Sequence, residues 1–174
     1  MTGRELFEKL LDSYESSYDI ERACHINGEV YDAYAAFRVT SSKYVLVKKA
    51  ELWRADCFEH VFFHVRDRLT TDDIEHFRTQ VVQYIEPQIV REGKKWPPKD
   101  HMYTFITGIF ICDSKVPDEV KRAVKRLSLV KNYKWTIRGY SEVRLLVFDM
   151  EDKKVFGNKA AKDLVKGYTK AEVI

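Results

Sequence analysis

The most continuous apolar pattern in the chain lies between Tyr103 and Cys112, a stretch without a charged residue. Its alternating side chains place Tyr103, Phe105, Ile109 and Ile111 on one face and Ile106, Phe110 and Cys112 on the other. A strand with one face in water shows polar residues at every second position, and this stretch does not. The pattern therefore predicts a central strand covered on both faces, in a layered domain that packs helices against a sheet.

The pattern before this strand predicts one helix and then an antiparallel meander. Thr2 and Glu5 form a capping-box pattern in front of apolar residues at helical spacing, which predicts a helix over 3–14. Asn27-Gly28 between short apolar runs predicts a hairpin turn. Further strands are predicted over 31–39, 43–54 and 58–65, with turns at 40–42 and 55–57. Connections this short exclude parallel crossovers, so these strands are expected to pair antiparallel.

Two more helices are predicted, one on each side of the central strand in the sequence. Thr70 and Thr71 followed by acidic residues mark the start of the first, and Pro87 is expected to kink it or to end it near Tyr84. Pro117 followed by two acidic residues marks the start of the second. The other predicted elements are a loop over 91–100, strands over 133–139, 142–149 and 155–156, and a short helix over 159–168.

This order of elements predicts a single mixed α+β domain over residues 1–174. Helix, meander, helix and strand is also the order of the restriction-endonuclease-like core, so that topology is one expected arrangement. Enzymes with that core place an acid on the second strand and an acid-x-Lys triplet on the third. The candidates here are Glu51 and Glu59, and Val61 stands where the lysine is required. An active nuclease is therefore not expected, whereas a degenerate relative that keeps the fold stays open.

The composition is typical of a soluble globular chain, because 45% of the residues are hydrophobic and 33% are charged. No run approaches the ~18 apolar residues needed to cross a bilayer, and the first residues lack the apolar stretch of a signal peptide. The cysteines, Cys24, Cys57 and Cys112, are too scattered for a disulfide framework or a metal site. The sequence therefore predicts a cytoplasmic protein without a membrane partner.

Charge is distributed unevenly along the chain. The formal net charge is +3, but residues 1–87 hold 11 basic and 16 acidic residues, whereas residues 88–174 hold 19 and 11. An excess of cations in one half is typical of contact with an acidic partner, either nucleic acid or an acidic protein. The same asymmetry fits attraction between the two halves within one domain, and the sequence leaves both interpretations open.

The helix predicted after Pro117 concentrates this positive charge. Its candidate phosphate-contacting residues are Lys121, Arg122, Lys125 and Arg126. Tyr133 and Trp135 follow and have rings that stack on bases in single-stranded nucleic acid. A purely structural interpretation competes with this one, because acids at the start and cations at the end of a helix stabilise its dipole, and both aromatic residues fit a strand core.

A second group of polar residues indicates a ligand pocket. Its candidates are Asp113, Arg138, Ser141, Glu142 and Arg144, which offer carboxylate, hydroxyl and guanidinium groups near the ends of predicted strands. The hydrolase elbow Gly-x-Ser-x-Gly is absent, because Val143 stands where its second glycine is required. No glycine-rich phosphate loop accompanies the group, so no cofactor is predicted. A strand corner with an ion pair is the alternative.

The histidines do not predict a metal site. His60 and His64 lie four residues apart on a predicted strand, so their Cβ atoms are separated by ~13 Å and cannot both reach one ion. His76 on the next helix has no acid or cysteine at ligand spacing. These side chains are expected at the margin of the sheet or under the helix, with a hydrogen-bond partner.

Four segments of the sequence together resemble a family of small bacterial proteins of unknown function. They are Tyr44–Ala50, Tyr103–Gly108, Val120–Arg126 and Gly139–Leu145. The resemblance extends over nearly the whole chain. It implies a single bacterial cytoplasmic domain, and it implies no activity, ligand or catalytic residue.

Three functional hypotheses follow from these patterns. The first is a non-enzymatic binding module whose basic second half contacts nucleic acid or another acidic partner. The second is a degenerate nuclease or hydrolase with a site around Asp113, Arg138 and Glu142, which requires these side chains to reach one substrate. The third is a structural subunit of a homo-oligomer.

Overall fold

The computed structural model describes residues 1–45 and 50–174, with side chains for 1–39 and 55–174. Seven described strands form one mixed sheet in the order β1-β2-β3-β4-β6-β5, and β7 also pairs with β6. The strands are β1 (Asp19–Ile26), β2 (Glu29–Val45), β3 (Ala50–Arg66), β4 (His101–Cys112), β5 (Val130–Asn132), β6 (Tyr140–Asp149) and β7 (Lys154–Gly157). The three inner strands β3, β4 and β6 are parallel, and the outer pairs are antiparallel.

Helices cover both faces of this sheet. They are α1 (Gly3–Tyr14), α2 (Thr71–Gln80), α3 (Asp118–Arg126) and α4 (Lys162–Lys170), with a π-helix at Val81–Val90 and a short 3-10 helix at Lys159–Ala161. One apolar cluster joins α1 and α4 to the sheet, and a second joins α2, the π-helix and α3 to the opposite face. No helix in the described ranges has both the length and the apolarity to span a bilayer. The predicted mixed α+β domain is confirmed, while its restriction-endonuclease-like topology stays a prediction.

The central strand is covered on both faces over 106–112, as predicted, but the predicted cover is incomplete at Tyr103 and Phe105. Ile109 and Ile111 belong to the cluster under α1, whereas Ile106 and Phe110 belong to the cluster under α2 and α3. A close neighbour at Gly108 is also confirmed, since a Cβ there would lie 2.7 Å from Cε1 of Phe77. The α1 cluster stops before the amino end of β4, where the strand remains partly open to water.

Local start signals place two of the helices. Thr2 and Glu5 form the predicted capping box of α1, and Thr70 and Asp73 form one for α2. Asp113 Oδ1 accepts a hydrogen bond of 2.7 Å from the backbone amide of Gly3, which ties the start of α1 to the end of β4. Side-chain caps thus fix where helices begin relative to the sheet.

Two predicted turns in the meander were wrong. The turns expected at 40–42 and 55–57 lie inside β2 and β3, where Thr40 pairs with Asp56 and Ser41 with Ala55. A continuous antiparallel ladder satisfies the backbone there and overrides the local turn preference of these residues. Of the two outcomes expected at Pro87, an end near Tyr84 does not occur, because α2 is followed without a break by the π-helix that contains Pro87. The side chains of 40–54, including the candidate Glu51, lie outside the described residues.

Candidate nucleic-acid interface

Three aromatic rings lie together at the amino ends of β4 and β6, on the sheet face that α1 covers further along. Tyr103 pairs with Tyr140 across the two strands, and their ring centroids are 6.1 Å apart. Phe105 lies 4.8 Å from Tyr103 and 6.4 Å from Tyr140 by the same measure. All three side chains are only partly buried. We call Tyr103, Phe105 and Tyr140 the aromatic patch.

Arg144 forms a cationic border of the aromatic patch. Its guanidinium carbon lies 3.2 Å from the ring centroid of Phe105, and one terminal nitrogen lies 3.8 Å from Glu59 Oε1. Glu59 also accepts hydrogen bonds from Tyr18 and Thr107. Arg144 Nε is buried and has no hydrogen-bond partner in the described part of the chain. The arginine is therefore held against the ring of Phe105 and has one donor without a partner among the described residues.

A loop with an unusual backbone leads into β6. Lys134, Trp135 and Thr136 have φ angles of 49°, 58° and 68°, and Gly139 follows at 71°. Three consecutive non-glycine residues in the left-handed region cost about 1–2 kcal/mol each, and Thr136 is β-branched as well. The loop exposes 92% of Trp135 and 70% of Ile137 to solvent. We call residues 133–139 the Trp135 loop.

Buried contacts at both ends hold the Trp135 loop in this conformation. Tyr133 is fully buried, and its hydroxyl donates to Glu86 at 2.8 Å and accepts from Ser141 at 2.7 Å. At the other end, the carbonyl oxygen of Arg138 accepts a hydrogen bond of 2.7 Å from His101 Nδ1. Strain of this kind persists only where the surroundings determine the conformation.

Glu86 is the charge that anchors this support. It projects from the π-helix and accepts hydrogen bonds from Arg91 at 2.7 and 3.2 Å and from Lys131 at 2.9 Å, besides that from Tyr133. Burial by itself raises the pKa of Glu86, but these donors outweigh burial and lower the pKa overall. Burial raises the pKa of Tyr133, and its bond to Glu86 adds to that increase. The pair is therefore a carboxylate and a neutral phenol at neutral pH.

Replacing Tyr133 by phenylalanine is expected to lower the free energy of unfolding by about 1–3 kcal/mol, because Glu86 and Ser141 each lose a buried partner. Urea denaturation of the purified variant measures this loss. The matched control is Tyr140→Phe, since that half-buried hydroxyl forms no hydrogen bond in the described part of the chain. A change of more than about 0.5 kcal/mol in the control, or equal losses in both variants, would contradict the assigned role of Tyr133.

A groove of about 440 Å³ runs between the Trp135 loop and the start of β4. Lys99, Asp100, Met102, Ile137 and Tyr140 contribute to its walls. Met102 is 53% exposed, so the groove has an apolar wall as well as a charged one. Tyr140 belongs to both the groove and the aromatic patch, so the two meet at this residue.

Cations lie on the loop side of this surface, whereas Glu142 lies opposite Phe105 on the sheet face of the aromatic patch. Within the described part of the chain, Lys99, Lys134 and Arg138 form no ion pair with a carboxylate. Asp100 is the acid that lines the groove beside them. Unpaired cations beside partly exposed aromatic rings are the combination that binds phosphates and bases in single-stranded nucleic acid.

The structure separates the residues predicted to form a ligand pocket. Phe105 pairs with Glu142, and Asp113, just after the end of β4, lies eight residues further along the chain, which places it about 26 Å away at the rise of a strand. Asp113 caps α1 instead. Ser141 is buried against Tyr133 on one face of β6, whereas Glu142 and Arg144 project from the other face. Arg138 lies in the Trp135 loop and joins the candidate interface.

The four predicted phosphate-contacting residues divide into two groups. Lys121 is half-buried, and its ammonium lies 3.4 Å from Asp149 and 3.5 Å from Asp152. The other three, Arg122, Lys125 and Arg126, are exposed on α3, which packs on the sheet through Val120 and Val124. Lys121 therefore stabilises the fold, and the remaining cations form a solvated face.

Comparison with known proteins places the chain in a family without supplying a chemistry. A family model described as "Domain of unknown function (DUF8052)" matches residues 2–170, which is nearly the whole chain. No curated protein and no solved structure matches this chain.

Proposed function

The chain belongs to the DUF8052 family of domains of unknown function, and from the geometry of its surface we propose that it is a non-enzymatic module that binds single-stranded nucleic acid. The contact surface consists of the Trp135 loop, the groove beside it and the aromatic patch. A bacterial source and a cytoplasmic location, which the sequence resemblance implies, belong to the same proposal.

The observation that carries this proposal is the exposure of Trp135. An apolar indole that is 92% exposed gains nothing for the fold, and the backbone that presents it is strained. Buried contacts of Tyr133 and His101 stabilise the loop against that strain. A rigid ring that protrudes from the surface is suited to stacking on a base without a large loss of entropy on binding.

The surroundings of Trp135 favour nucleic acid among the acidic partners. Lys134, Arg138 and Lys99 provide charges for phosphates, while Tyr140 and Tyr103 continue the stacking surface along the sheet. Stacking on an aromatic side chain contributes about 1–3 kcal/mol per base. An acidic protein would be attracted by the same cations, but it would not require exposed aromatic rings on which bases can stack.

The alternative of a degenerate nuclease or hydrolase has less support. It requires Asp113, Arg138 and Glu142 to reach one substrate, and the register of β4 and β6 places Asp113 and Glu142 near opposite ends of the sheet. Glu59, the acid considered on the third strand, is engaged by Tyr18 and Thr107. The hypothesis that the chain is a structural subunit of a homo-oligomer is tested by sedimentation of the purified protein.

Fluorescence anisotropy with labelled oligo-dT and oligo-U tests the proposal. Trp135→Ala is expected to weaken binding by about 5- to 100-fold, whereas Trp135→Phe retains most of the affinity because it keeps a stacking ring. A salt titration should show a linear fall of log affinity with log salt concentration. Absence of binding even at low salt would overturn the proposal, and stronger binding of poly-glutamate than of either oligonucleotide would identify an acidic protein as the partner.

Charge variants locate the contact on the surface. Lys134→Gln and Arg138→Gln should each reduce the slope of the salt dependence by about 0.7, the value expected for one phosphate contact on a single strand. Lys125→Gln on α3 removes the same charge from an exposed position and serves as the matched control. Equal effects of all three substitutions would show that net charge, rather than this surface, determines binding.

A further inference from the structure

A second cavity lies on the face of the sheet under α2, towards the carboxyl end of β3. Its volume is about 330 Å³. Tyr31, His64, Phe77 and Phe110 contribute buried walls, and charged residues from β2, β3 and α2 complete its lining. Open sheets with parallel strands tend to bind ligands beyond the carboxyl ends of those strands. We call this cavity the His64 pocket.

Two buried polar atoms at the His64 pocket have no hydrogen-bond partner in the described part of the chain. They are the hydroxyl of Tyr31 and Nε2 of His64. The two residues are only 1% and 7% exposed, and their rings lie 5.1 Å apart. A buried polar group without a partner costs about 1–3 kcal/mol, so two of them in one cavity favour a partner from outside the chain.

Neighbouring contacts determine what these atoms offer to a ligand. Arg66 Nη2 lies 3.4 Å from His64 Nδ1, and because a guanidinium can only donate, Nδ1 is the acceptor. Burial lowers the pKa of His64 to about 3, so the ring is neutral and carries its proton on Nε2. The pocket therefore presents an N–H donor from His64 beside the Tyr31 hydroxyl, and it calls for an oxygen acceptor.

The charged lining limits the ligand further. Arg66 is the arginine of the lining, whereas Glu29, Asp72 and Asp73 are carboxylates. Glu29 also contacts His76 at 2.8 Å, and Asp73 caps the start of α2. The lining contains more carboxylates than guanidinium groups, so it disfavours an anionic ligand and attracts a positively charged group.

We propose that the His64 pocket binds a small molecule that places an uncharged carbonyl or hydroxyl oxygen against Tyr31 and His64 and a cationic amino group towards Glu29 and Asp72. The buried rings of Phe77 and Phe110 give the oxygen end of the pocket apolar walls. This site is separate from the Trp135 loop and does not depend on the function proposed for that loop.

Three small probes test the chemistry of the pocket in the full chain. Glycinamide carries both groups, acetamide only the carbonyl, and acetate the wrong charge. Long-range ¹H–¹⁵N spectra of the histidine rings should show His64 as the Nε2–H tautomer and should shift at tens of millimolar glycinamide, less with acetamide and not with acetate. The proposal is overturned if glycinamide leaves the His64 signals unchanged, or if acetate shifts them more than glycinamide does.

A pair of tyrosine variants separates a ligand site from a structural role. Tyr31→Phe removes an unpartnered hydroxyl, so it should leave the thermal midpoint unchanged or raise it while weakening glycinamide binding about tenfold. Tyr34→Phe removes a hydroxyl that is bonded to His60 at 2.6 Å, so it should lower the midpoint and leave glycinamide binding intact. A midpoint for Tyr31→Phe that falls as far as that for Tyr34→Phe would overturn the assignment.

Discussion

Replacing Gly139 by alanine is expected to lower the free energy of unfolding by more than about 4 kcal/mol. A Cβ at this position would lie 1.9 Å from the carbonyl oxygen of Met102 and 2.5 Å from its carbonyl carbon. Both atoms belong to the backbone of β4, so no rotation of a side chain relieves the overlap. The φ angle of 71° adds a penalty of about 1–2 kcal/mol for any residue with a Cβ.

Gly28→Ala is the matched control for this loss. Gly28 has a φ of 79°, but a Cβ there would meet nothing within 4 Å. It should therefore show the conformational penalty alone, about 1 kcal/mol, in the same urea denaturation experiment. Similar losses for the two variants would show that the packing of the Trp135 loop against β4 does not contribute to stability.

The close approach at Gly139 also links stability to the proposed function. Gly139 lies between Arg138, whose carbonyl binds His101, and Tyr140, which lines the groove. A displaced loop would move both the exposed indole and the groove wall. Gly139→Ala protein that remains folded at low temperature should therefore bind oligonucleotides less tightly than the Gly28→Ala protein does.

The elements that the sequence predicted well are those in which local and long-range preferences agree. The stretch 103–112 is apolar on both alternating faces, and only a strand covered from two sides satisfies such a pattern. Thr2 and Thr70 carry capping signals, which depend on residues within one turn. Such signals do not require knowledge of the rest of the chain.

The Trp135 loop shows why alternation alone misled the prediction. Tyr133, Trp135 and Ile137 alternate with polar residues as a half-buried strand would, and this pattern predicts a strand over 133–139. In the structure only Tyr133 is buried, because Glu86 on the distant π-helix fixes its hydroxyl and the strand β5 ends at Asn132. The partner that decides the conformation lies 47 residues away in sequence.

The candidate site was predicted in part for a related reason. Arg138, Glu142 and Arg144 are close in sequence and do lie near the amino end of β6. Asp113 follows the end of β4, and its distance from them depends on the parallel register between the two strands. Sequence patterns give the length of a strand but not the direction of its neighbour. Whether Asp113 lies near the other three residues therefore depends on a register that the sequence does not show.

Acidification from pH 7.5 to 5 is expected to destabilise the protein mainly through His60 and His64. Burial lowers the pKa of His60 to about 4 and is also the largest cause that lowers that of His64 to about 3. Above about pH 6.5 both rings are neutral in the folded and the unfolded chain. As the pH falls below this value, the unfolded chain binds protons that the folded protein does not, so stability decreases until the folded pKa values are reached.

The size of this effect follows from the shifted pKa of each ring. A histidine with a folded pKa near 3 lowers the free energy of unfolding by about 2 kcal/mol when the pH falls from 7.5 to 5. His60 keeps some contact with water, so its contribution to this loss of stability is no larger. Urea midpoints at pH 7.5, 6 and 5 measure the sum. His64→Phe and His60→Gln should each flatten the pH dependence, whereas His25→Gln, at an exposed position, should leave it unchanged. A pH dependence that persists undiminished in both the His60 and His64 variants would show that other groups cause the acid destabilisation.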